Sequence, residues 1–216
     1  MAVIVVAAEK GGCGKTTVAT NIAILRAAQG RDVLVVDADP QKSASEFFYV
    51  REAEKIVPVV SCVSITGRSV ASEIRKLLPR YQDIIIDAGG RDNAGMRSAL
   101  VVADVLVVPF LPGQYDVWSI ESMDGMLEEA LAVNPEMRCL CVLNKADTNP
   151  AIRDAAEAME VLSGLKNLKL MDVRLGYRVA YRRSSAEGRA VTELDRRDSK
   201  AIEEITSLFK GVFDEA

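Results

Sequence analysis

Short, uninterrupted runs of apolar and mostly β-branched residues recur along this chain, and they constrain its fold more than any other feature. The clearest runs are Ala2–Ala8, Val33–Val36 and Val105–Phe110. Because apolar and polar residues do not alternate within them, they predict strands buried on both faces, as in a parallel sheet. Segments with helical spacing of apolar residues separate these runs. The order predicts an α/β fold, in which a mostly parallel, twisted sheet carries helices on both faces.

The predicted elements follow one another without a linker, a repeat or a low-complexity segment, so residues 1–216 are expected to form one domain. The predicted strands are Ala2–Ala8, Val33–Val36, Asp83–Asp87, Val105–Phe110, Leu140–Leu143 and Leu168–Val173. The predicted helices are Thr16–Gln29, Val70–Leu78, Ala94–Val102, Ser119–Val133, Ala151–Leu162 and Asp198–Phe213. Folds of this kind bind their ligands beyond the carboxyl ends of the strands.

The composition excludes several classes of chemistry. Apolar residues make up 49% of the chain, which excludes intrinsic disorder. The sequence contains no histidine, which excludes Ser-His-Asp hydrolysis and histidine-ligated zinc sites. The four cysteines lack the spacing of a zinc site and are expected to be buried thiols in a reducing cytoplasm. No apolar stretch approaches the roughly 20 residues of a membrane span, so we expect a cytoplasmic protein without a membrane partner.

A glycine-rich segment lies between the first predicted strand and the first predicted helix, and residues 9–17 read EKGGCGKTT. Glycines allow consecutive backbone N–H groups to turn inward, and the start of a helix adds positive potential. Lys15 can reach the β- and γ-phosphates of a nucleotide, and the Thr16 hydroxyl can bind Mg²⁺. The succession of strand, loop and helix therefore predicts a phosphate-binding site.

The loop departs from the common pattern GxxxxGK[ST], since Glu9 occupies the first glycine position. It resembles the deviant form KGGxGKTT of the ParA/MinD group of P-loop ATPases. Three further segments resemble motifs of that group: Val35–Gln41, the Walker B strand Ile84–Gly90, and the proline-containing strand and loop Val107–Asp116. The likeness is strongest to the short ParF-type ParA proteins of plasmid partition. It covers nearly the whole chain and is weakest over Phe48–Leu78.

The resemblance implies a role for each residue of the site. The backbone of Gly12–Thr17 would hold the phosphates of ATP, and Lys15 would neutralise their charge. Thr16 would bind Mg²⁺ directly and Asp87 through a water molecule. Asp39 would orient the attacking water, while Asp37 would support the water shell of the metal. Alternatively, Asp87 is an ordinary carboxylate at a strand end and Asp39 merely begins a turn.

The resemblance gives Lys10 a different task. In the family, the lysine at this position crosses a dimer interface and reaches the nucleotide of the partner. It would act like an arginine finger on the charge of the transferred phosphoryl group, which implies an ATP-dependent homodimer. A solvated surface lysine is the alternative. Glu9 differs from the residues common at its position in the family and places a carboxylate near the phosphates.

The recognition of the base has two interpretations. Asn144-Lys145-Ala146-Asp147 matches the NKxD motif of GTPases, in which the aspartate pairs with guanine. The ParA resemblance instead assigns the asparagine to adenine, flanked by a proline loop, and therefore favours ATP over GTP. The implied nucleotide-binding residues are Lys10, Gly11, Gly12, Cys13, Gly14, Lys15, Thr16, Thr17, Asn144, Pro109 and Pro112.

A local concentration of cations predicts a DNA-binding surface, although the formal net charge of the chain is −4. Between Arg174 and Lys200, eight arginines and lysines stand against four acidic residues. If Gly176–Ser185 is helical, Arg174, Arg178 and Arg182 share one face. Such a strip would contact DNA phosphates without sequence preference, and the alternative is a solvated helix face. The predicted DNA contacts are Arg174, Arg178, Arg182, Arg183 and Arg189.

These features predict a Mg²⁺- and ATP-dependent partition ATPase of the ParA type. Its ATP-bound dimer would bind nonspecific DNA on the nucleoid, and a ParB-like protein bound to a centromere or a cargo would stimulate hydrolysis and release it. One alternative is a chromosome-tethered system that positions a protein assembly. Another is a MinD-like membrane switch that uses the apolar stripe of Ile202–Phe213, although the acidic C-terminal residues favour core packing of that stripe. A metal-carrier ATPase would need an exposed CxxC, which the sequence lacks.

Overall fold

The computed structural model describes residues 1–90, 93–148, 162 and 164–213. Its strands are β1 (Ala2–Val6), β2 (Val33–Ala38), β3 (Ser61–Ser64), β4 (Asp83–Ala88), β5 (Val105–Phe110), β6 (Arg138–Ala146) and β7 (Lys169–Gly176). Its helices are α1 (Lys15–Ala28), α2 (Ser43–Ala53), α3 (Val70–Leu77), α4 (Asn93–Leu100), α5 (Gln114–Val133), α6 (Val179–Ala186) and α7 (Ser199–Phe213). Short 3₁₀ turns lie at Gly67–Ser69, Leu78–Arg80 and Val191–Glu193.

The seven strands form one parallel sheet in the order β3-β2-β4-β1-β5-β6-β7. This confirms the predicted α/β fold with a parallel sheet. The order places the carboxyl ends of β2, β4 and β1 side by side at one edge. Asp37 of β2 and Asp87 of β4 are register partners there, and Val6 of β1 is the next partner of Asp87. Three predicted motifs therefore meet at one place.

The core has two layers, one on each face of the sheet. Alternate residues of β1 point to opposite layers, Val3 and Val5 to one and Ile4 and Val6 to the other. Helices α3, α4 and α5 cover the first layer, and α1, α2 and α7 cover the second. Cys139 and Cys141 are both free and buried in the first layer, as expected for buried thiols, and they lie on the same face of β6.

Three elements had no definite counterpart among the predicted ones. Strand β3 lies in the segment where the resemblance is weakest, and helix α2 runs into that segment from Ser43. A helix near the position of α6 was expected only as the condition under which the arginines would share one face. Strand β3 forms the edge of the sheet, and its residues are mostly exposed, so it carries no apolar run. Helix α5 begins at Gln114, five residues before the predicted start. The predicted helix Ala151–Leu162 lies almost wholly outside the described residues.

The apolar stripe of α7 packs on the sheet, as the core interpretation predicted. Ile205, Leu208, Phe209 and Val212 are buried in the second layer. The guanidinium carbon of Arg26 lies 4.3 Å from the ring centroid of Phe213, which covers the end of the stripe. Among the described residues, none of the helices has the length and apolar character that crossing a membrane would require.

Candidate functional site

The glycine-rich loop connects β1 to α1 and has the shape of an anion cradle. Gly12 and Gly14 have φ angles of 79° and 94°, in the left-handed region that favours glycine. A Cβ atom on Gly14 would also collide with the side-chain amide of Asn144. Helix α1 begins at Lys15, and no side chain caps its first turn. The free N–H groups of that turn and the helix dipole are thus available to an anion.

Two residues from the end of β6 hold the loop in this shape. The Asn144 amide nitrogen donates a hydrogen bond of 2.6 Å to the Cys13 carbonyl oxygen, and the Lys145 ammonium donates one of 2.6 Å to the Gly12 carbonyl oxygen. These two bonds hold the carbonyl groups of Cys13 and Gly12 in place. The Asn144 side-chain oxygen accepts from the Lys145 backbone N–H at 2.8 Å. In this structure, Asn144 therefore contacts the loop, whereas the sequence interpretation assigned it to the base.

The two lysines of the loop lie in different surroundings. Lys15 is only 7% exposed, borders the large cavity, and donates to the Lys10 carbonyl oxygen across the loop at 3.2 Å. Lys10 instead borders a small neighbouring pocket together with Glu9, Cys13 and Pro109. The two lysines of the loop therefore line different pockets.

Asp87 is the most unusual polar residue at this edge of the sheet. The Thr16 hydroxyl donates to its Oδ2 atom at 2.6 Å, while its Oδ1 atom is buried and has no hydrogen-bond partner among the described residues. Burial raises the pKa of Asp87 to about 7, the Thr16 bond opposes this rise, and the neighbouring charge of Asp37 adds to it. A hydroxyl beside an unsatisfied carboxylate oxygen is a donor set that suits Mg²⁺. The residues present therefore fit the predicted metal.

The carboxylates of Asp37 and Asp39 differ in how many hydrogen bonds they accept. Asp37 is fully buried, and both of its oxygens are occupied: Oδ1 accepts from the Asp39 N–H, and Oδ2 accepts from the N–H and hydroxyl of Ser45 at 2.7 Å each. It therefore anchors the start of α2. Asp39 borders the cavity, and its Oδ1 accepts from the Gln41 N–H at 2.9 Å. Gly89 lies beside it, because a Cβ there would come within 2.9 Å of the Asp39 carboxyl carbon.

A cavity of about 900 Å³ opens from the loop. The loop, the end of β6, helix α2 and helix α6 line it, with Lys15, Thr16, Asp39, Phe47, Asn144, Lys145, Tyr177, Arg178, Tyr181 and Arg182 among its residues. Pro109 and Pro112, which the sequence placed beside the base, are not among the described residues that line it. Pro109 borders the small pocket next to Lys10, together with Ile120 and Met123 of α5, which belong to the first core layer. The structure corrects this part of the sequence interpretation.

The predicted arginine strip is also wrong in its geometry. Strand β7 continues to Gly176 and α6 begins only at Val179, so Arg174 lies on an edge strand and cannot share a helix face with the others. Arg178 has extended backbone angles and forms an ion pair with Glu204 of α7, whose Oε1 lies 2.5 Å from the Arg178 Nη2. Arg189 donates to the Glu193 carbonyl oxygen.

Arg182 and Arg183 are consecutive in α6, but they lie on different sides of the helix. Arg182 borders the large cavity, whereas Arg183 borders a different groove of about 540 Å³ on the other side of the helix. Three exposed cations that were not named as DNA contacts join Arg183 in this groove: Arg196, Arg197 and Lys200. Asp198 is the acidic residue of the groove, and its Oδ1 accepts from the Ala201 N–H. The consecutive arginines at 196 and 197 are the sequence signal that could have indicated this cluster.

A buried ion pair that the sequence interpretation missed fixes the elements around the cavity. Arg51 of α2 is 2% exposed and forms two hydrogen bonds with the Glu193 carboxylate, at 2.7 and 2.8 Å. It also donates to the Gly188 carbonyl oxygen at 3.1 Å. The pair joins α2, which lines the cavity, to the segment that directly follows α6, another lining helix. No local pattern marks Arg51 or Glu193, because they are far apart in the chain.

The fold and the site define a nucleotide-binding domain of the P-loop class, with a parallel sheet and a glycine-rich loop before its first helix. The family model described as CbiA, the CobQ/CobB/MinD/ParA nucleotide binding domain, matches residues 4–191. The chain belongs to this family, and its resemblance to ParA and MinD is confirmed.

Two curated relatives and one solved structure illustrate the similarity. The chain is 28% identical over 212 residues to the maintenance of carboxysome distribution protein A of Halothiobacillus neapolitanus, covering 97% of this chain and 95% of the relative. It is 29% identical over 167 residues to the chromosome-partitioning ATPase Soj of Thermus thermophilus, covering 65% and 67%. The AMPPNP-bound putative plasmid partition protein of Borrelia burgdorferi superposes with a TM-score of 0.75 at 19% identity, covering 97% of this chain and 98% of that one.

Proposed function

We propose that this protein is an ATP-dependent positioning ATPase, whose ATP-bound homodimer binds nonspecific DNA and leaves it after hydrolysis. The observation that carries the proposal is the separation of two anion sites by one helix. On one side of α6 lies the cavity with the phosphate loop, and on the other lies an exposed cationic groove. A switch that reads a nucleotide and acts on a polyanion needs both sites.

The nucleotide site would work through groups that are already in place. Backbone N–H groups of Gly12–Thr17 would bind the phosphates of ATP, and Lys15 would neutralise their charge. Thr16 and Asp87 would hold Mg²⁺, which would supply further charge neutralisation when bound. Among the described residues none donates to the Oδ2 atom of Asp39, so this atom can accept a hydrogen bond from an attacking water.

Lys10 would act on the nucleotide of a second copy. Lys10 borders a pocket separate from the cavity of its own chain, while Lys15 lines that cavity. A Lys10→Ala variant should therefore bind ATP normally but lose about a thousandfold of its partner-stimulated turnover, as removal of an arginine finger does. A Lys15→Ala variant should lose nucleotide binding itself. Normal stimulated hydrolysis by Lys10→Ala would contradict the role in trans.

The cationic groove would bind DNA through phosphate contacts. Arg183, Arg196, Arg197 and Lys200 are exposed, and none of their side chains forms an ion pair with another described residue. Such contacts are independent of sequence and weaken strongly with salt. Dimerisation would double the number of contacts, which would make DNA affinity depend on ATP.

The cargo could be a replicon or a protein assembly, and the partner would differ accordingly. A ParB-like centromere-binding protein would serve a replicon, and a cargo-bound protein would serve an assembly. The similarity to a carboxysome distribution protein favours a protein assembly as the cargo, because it spans 97% of this chain and 95% of that protein. Burial of the α7 stripe speaks against a membrane as the target.

The decisive experiment measures DNA binding with ATP and with ADP at low and moderate salt. The test variant is Arg183→Ala with Arg196→Ala, and the matched control is Arg75→Ala with Arg80→Ala, which removes two exposed charges elsewhere. We expect ATP-dependent, salt-sensitive binding that the test variant loses and the control keeps. Binding to anionic vesicles without any DNA binding would overturn the proposal. Equal DNA binding by the test variant and the wild type would overturn the assignment of the groove.

A further inference from the structure

Helix α6 is a two-sided element. Tyr181, Arg182 and Ser185 border the nucleotide cavity, whereas Val179, Ala180 and Arg183 border the cationic groove. Each set contains offsets of three and four residues, which are those of one helix face. Two consecutive arginines in the sequence therefore face two different sites.

The surroundings of Arg182 distinguish it from the other cations of the cavity. Its guanidinium carbon lies 5.8 Å from the ring centroid of Tyr177, and both side chains border the cavity. The charge of Arg178 is matched by Glu204, and the Lys145 ammonium is hydrogen-bonded to the Gly12 carbonyl oxygen. Among the described residues, Arg182 forms no ion pair.

The position of this pair along the sheet indicates which part of a ligand it would meet. The phosphate loop follows β1, and Tyr177 follows β7, which lies three strands further along the sheet. With a spacing of about 4.8 Å between strands, the two are roughly 14 Å apart. A nucleotide with its phosphates on the loop would extend its nucleoside toward α6. A planar guanidinium stacks on aromatic faces, and a nucleobase has such a face.

We propose that Arg182 and Tyr177 bind the nucleoside part of the nucleotide, and that Arg182 does not belong to the DNA surface. The inference rests on the proposed nucleotide-binding function. It assigns to the base end of the cavity a cation and an aromatic ring, at the place where the sequence interpretation expected two prolines.

The helix that carries Arg182 is held at both ends, so the residue is presented without reorganisation. At its start, Glu204 accepts from Arg178 and from the Gly176 N–H at 3.0 Å. In its middle, the Tyr181 hydroxyl donates to the Ala201 carbonyl oxygen at 3.3 Å. Beyond its end, Arg51 donates to the Gly188 carbonyl oxygen. A binding group on a preorganised element loses little entropy when the ligand arrives.

The test compares ATP with inorganic tripolyphosphate, which has the phosphates but no nucleoside. Equilibrium binding of each ligand is titrated calorimetrically on the full chain in the presence of Mg²⁺. We expect Arg182→Ala to weaken ATP binding about tenfold and to leave tripolyphosphate binding unchanged, since a cation stacked on an aromatic face contributes an effect of this order. Arg182→Lys keeps the charge but lacks the planar group. Its ATP affinity should therefore lie between that of the wild type and that of Arg182→Ala. Arg75→Ala of α3 is the control and should bind both ligands as the wild type does.

Each outcome separates the inference from the function on which it rests. Equal weakening of ATP and tripolyphosphate by Arg182→Ala, or ATP binding within twofold of wild type, would overturn the inference while the proposed function stands. Failure of the wild type to bind either ligand would overturn the proposed function. DNA binding measured on the same samples gives the second contrast: Arg182→Ala with saturating ATP should keep it, and a loss there with unchanged ATP affinity would return Arg182 to the DNA surface.

Discussion

Strand β4 carries a buried aspartate at each end, and the two have opposite environments. Asp83, at the amino end, is fully buried and accepts hydrogen bonds from the Ala2 N–H at 2.8 Å, from Arg26 at 2.8 Å and from Arg31 at 2.9 Å. Asp87, at the carboxyl end, is 1% exposed and accepts only from Thr16, with its Oδ1 atom left without a partner among the described residues.

The pKa values of the two carboxyl groups move in opposite directions. Burial alone would raise the pKa of Asp83, but the hydrogen bonds and charges of Arg31 and Arg26 outweigh it and lower this pKa. At Asp87 burial dominates and raises the pKa to about 7. A native fold rarely leaves a buried polar atom unsatisfied, because that costs about 1–3 kcal/mol. The hydrogen bonds at the amino end of the strand therefore satisfy Asp83, whereas the described residues at the carboxyl end leave one oxygen of Asp87 unsatisfied.

Among the changes that test this contrast, removal of the Asp83 charge should have the largest effect on stability. We expect Asp83→Asn to lower the free energy of unfolding by about 3 kcal/mol, because it leaves Arg26 and Arg31 without their anion. The value lies at the low end for a broken buried pair, since these two arginines keep 21% and 30% of their side-chain surface exposed. Urea unfolding at pH 7 measures it.

The control for this variant is Asp32→Asn, which removes an exposed carboxylate in the neighbouring loop and should change the stability by less than about 0.5 kcal/mol. ATP affinity of folded Asp83→Asn should equal that of the wild type, since Asp83 lies at the amino end of β4 and the phosphate loop lies at the carboxyl ends of the strands. A stability equal to that of Asp32→Asn would show that the arginines are satisfied without Asp83.

The corresponding substitution at the other end of β4, Asp87→Asn, should change the stability in the opposite direction. We expect Asp87→Asn to raise the free energy of unfolding of the nucleotide-free protein by about 1 kcal/mol, because it removes a buried charge that forms no salt bridge with another described residue and that the charge of Lys15 only partly compensates. The variant should in turn lose the additional stability that ATP with Mg²⁺ confers on the wild type through binding to the folded state. Urea unfolding at pH 8, with EDTA and then with ATP and Mg²⁺, measures both effects.

A loss of stability in EDTA similar to that of Asp83→Asn would mean that Asp87 is a structural residue. Unchanged stabilisation by ATP and Mg²⁺ would mean that it does not support the metal. Thr16→Ser is the matched variant, since it keeps the hydroxyl that donates to Asp87 and should retain the stabilisation by ATP and Mg²⁺.

The difference between the two ends of β4 could not be predicted from the sequence. Residues 83–87 read DIIID, which is symmetrical in residue type, and only the fold brings Arg26 and Arg31 to one end and Thr16 to the other. The strands themselves were predictable, because runs of residues that are buried on both faces lack alternation. The phosphate loop was predictable as well, because its glycines, lysine and threonines are consecutive in the chain.

The parts that failed depend on contacts between distant segments. Strand β3 was missed because an exposed edge strand has no apolar run. The prolines were misplaced because only the fold shows that Pro109 borders the small pocket beside α5 and that neither proline borders the large cavity. The arginines were grouped on a single helix because nothing local shows that β7 continues to Gly176 or that Glu204 binds Arg178. Residue type predicted which chemistry is present, and tertiary packing decided which residue performs it.

The smallest expected effect is the acid dependence of Asp83. A carboxyl group whose pKa is lowered by folding contributes stability above its unfolded pKa, ordinarily 3.8, and this contribution is lost as the pH falls through the lowered value. The difference in stability between the wild type and Asp83→Asn should therefore be constant above about pH 5. It should shrink by about half a kcal/mol by pH 3.5, because the unfolded carboxyl group gains its proton first. Urea midpoints of both proteins from pH 6 to pH 3.5 measure the difference, and parallel curves over the whole range would show that the ion pairs do not lower the pKa of Asp83.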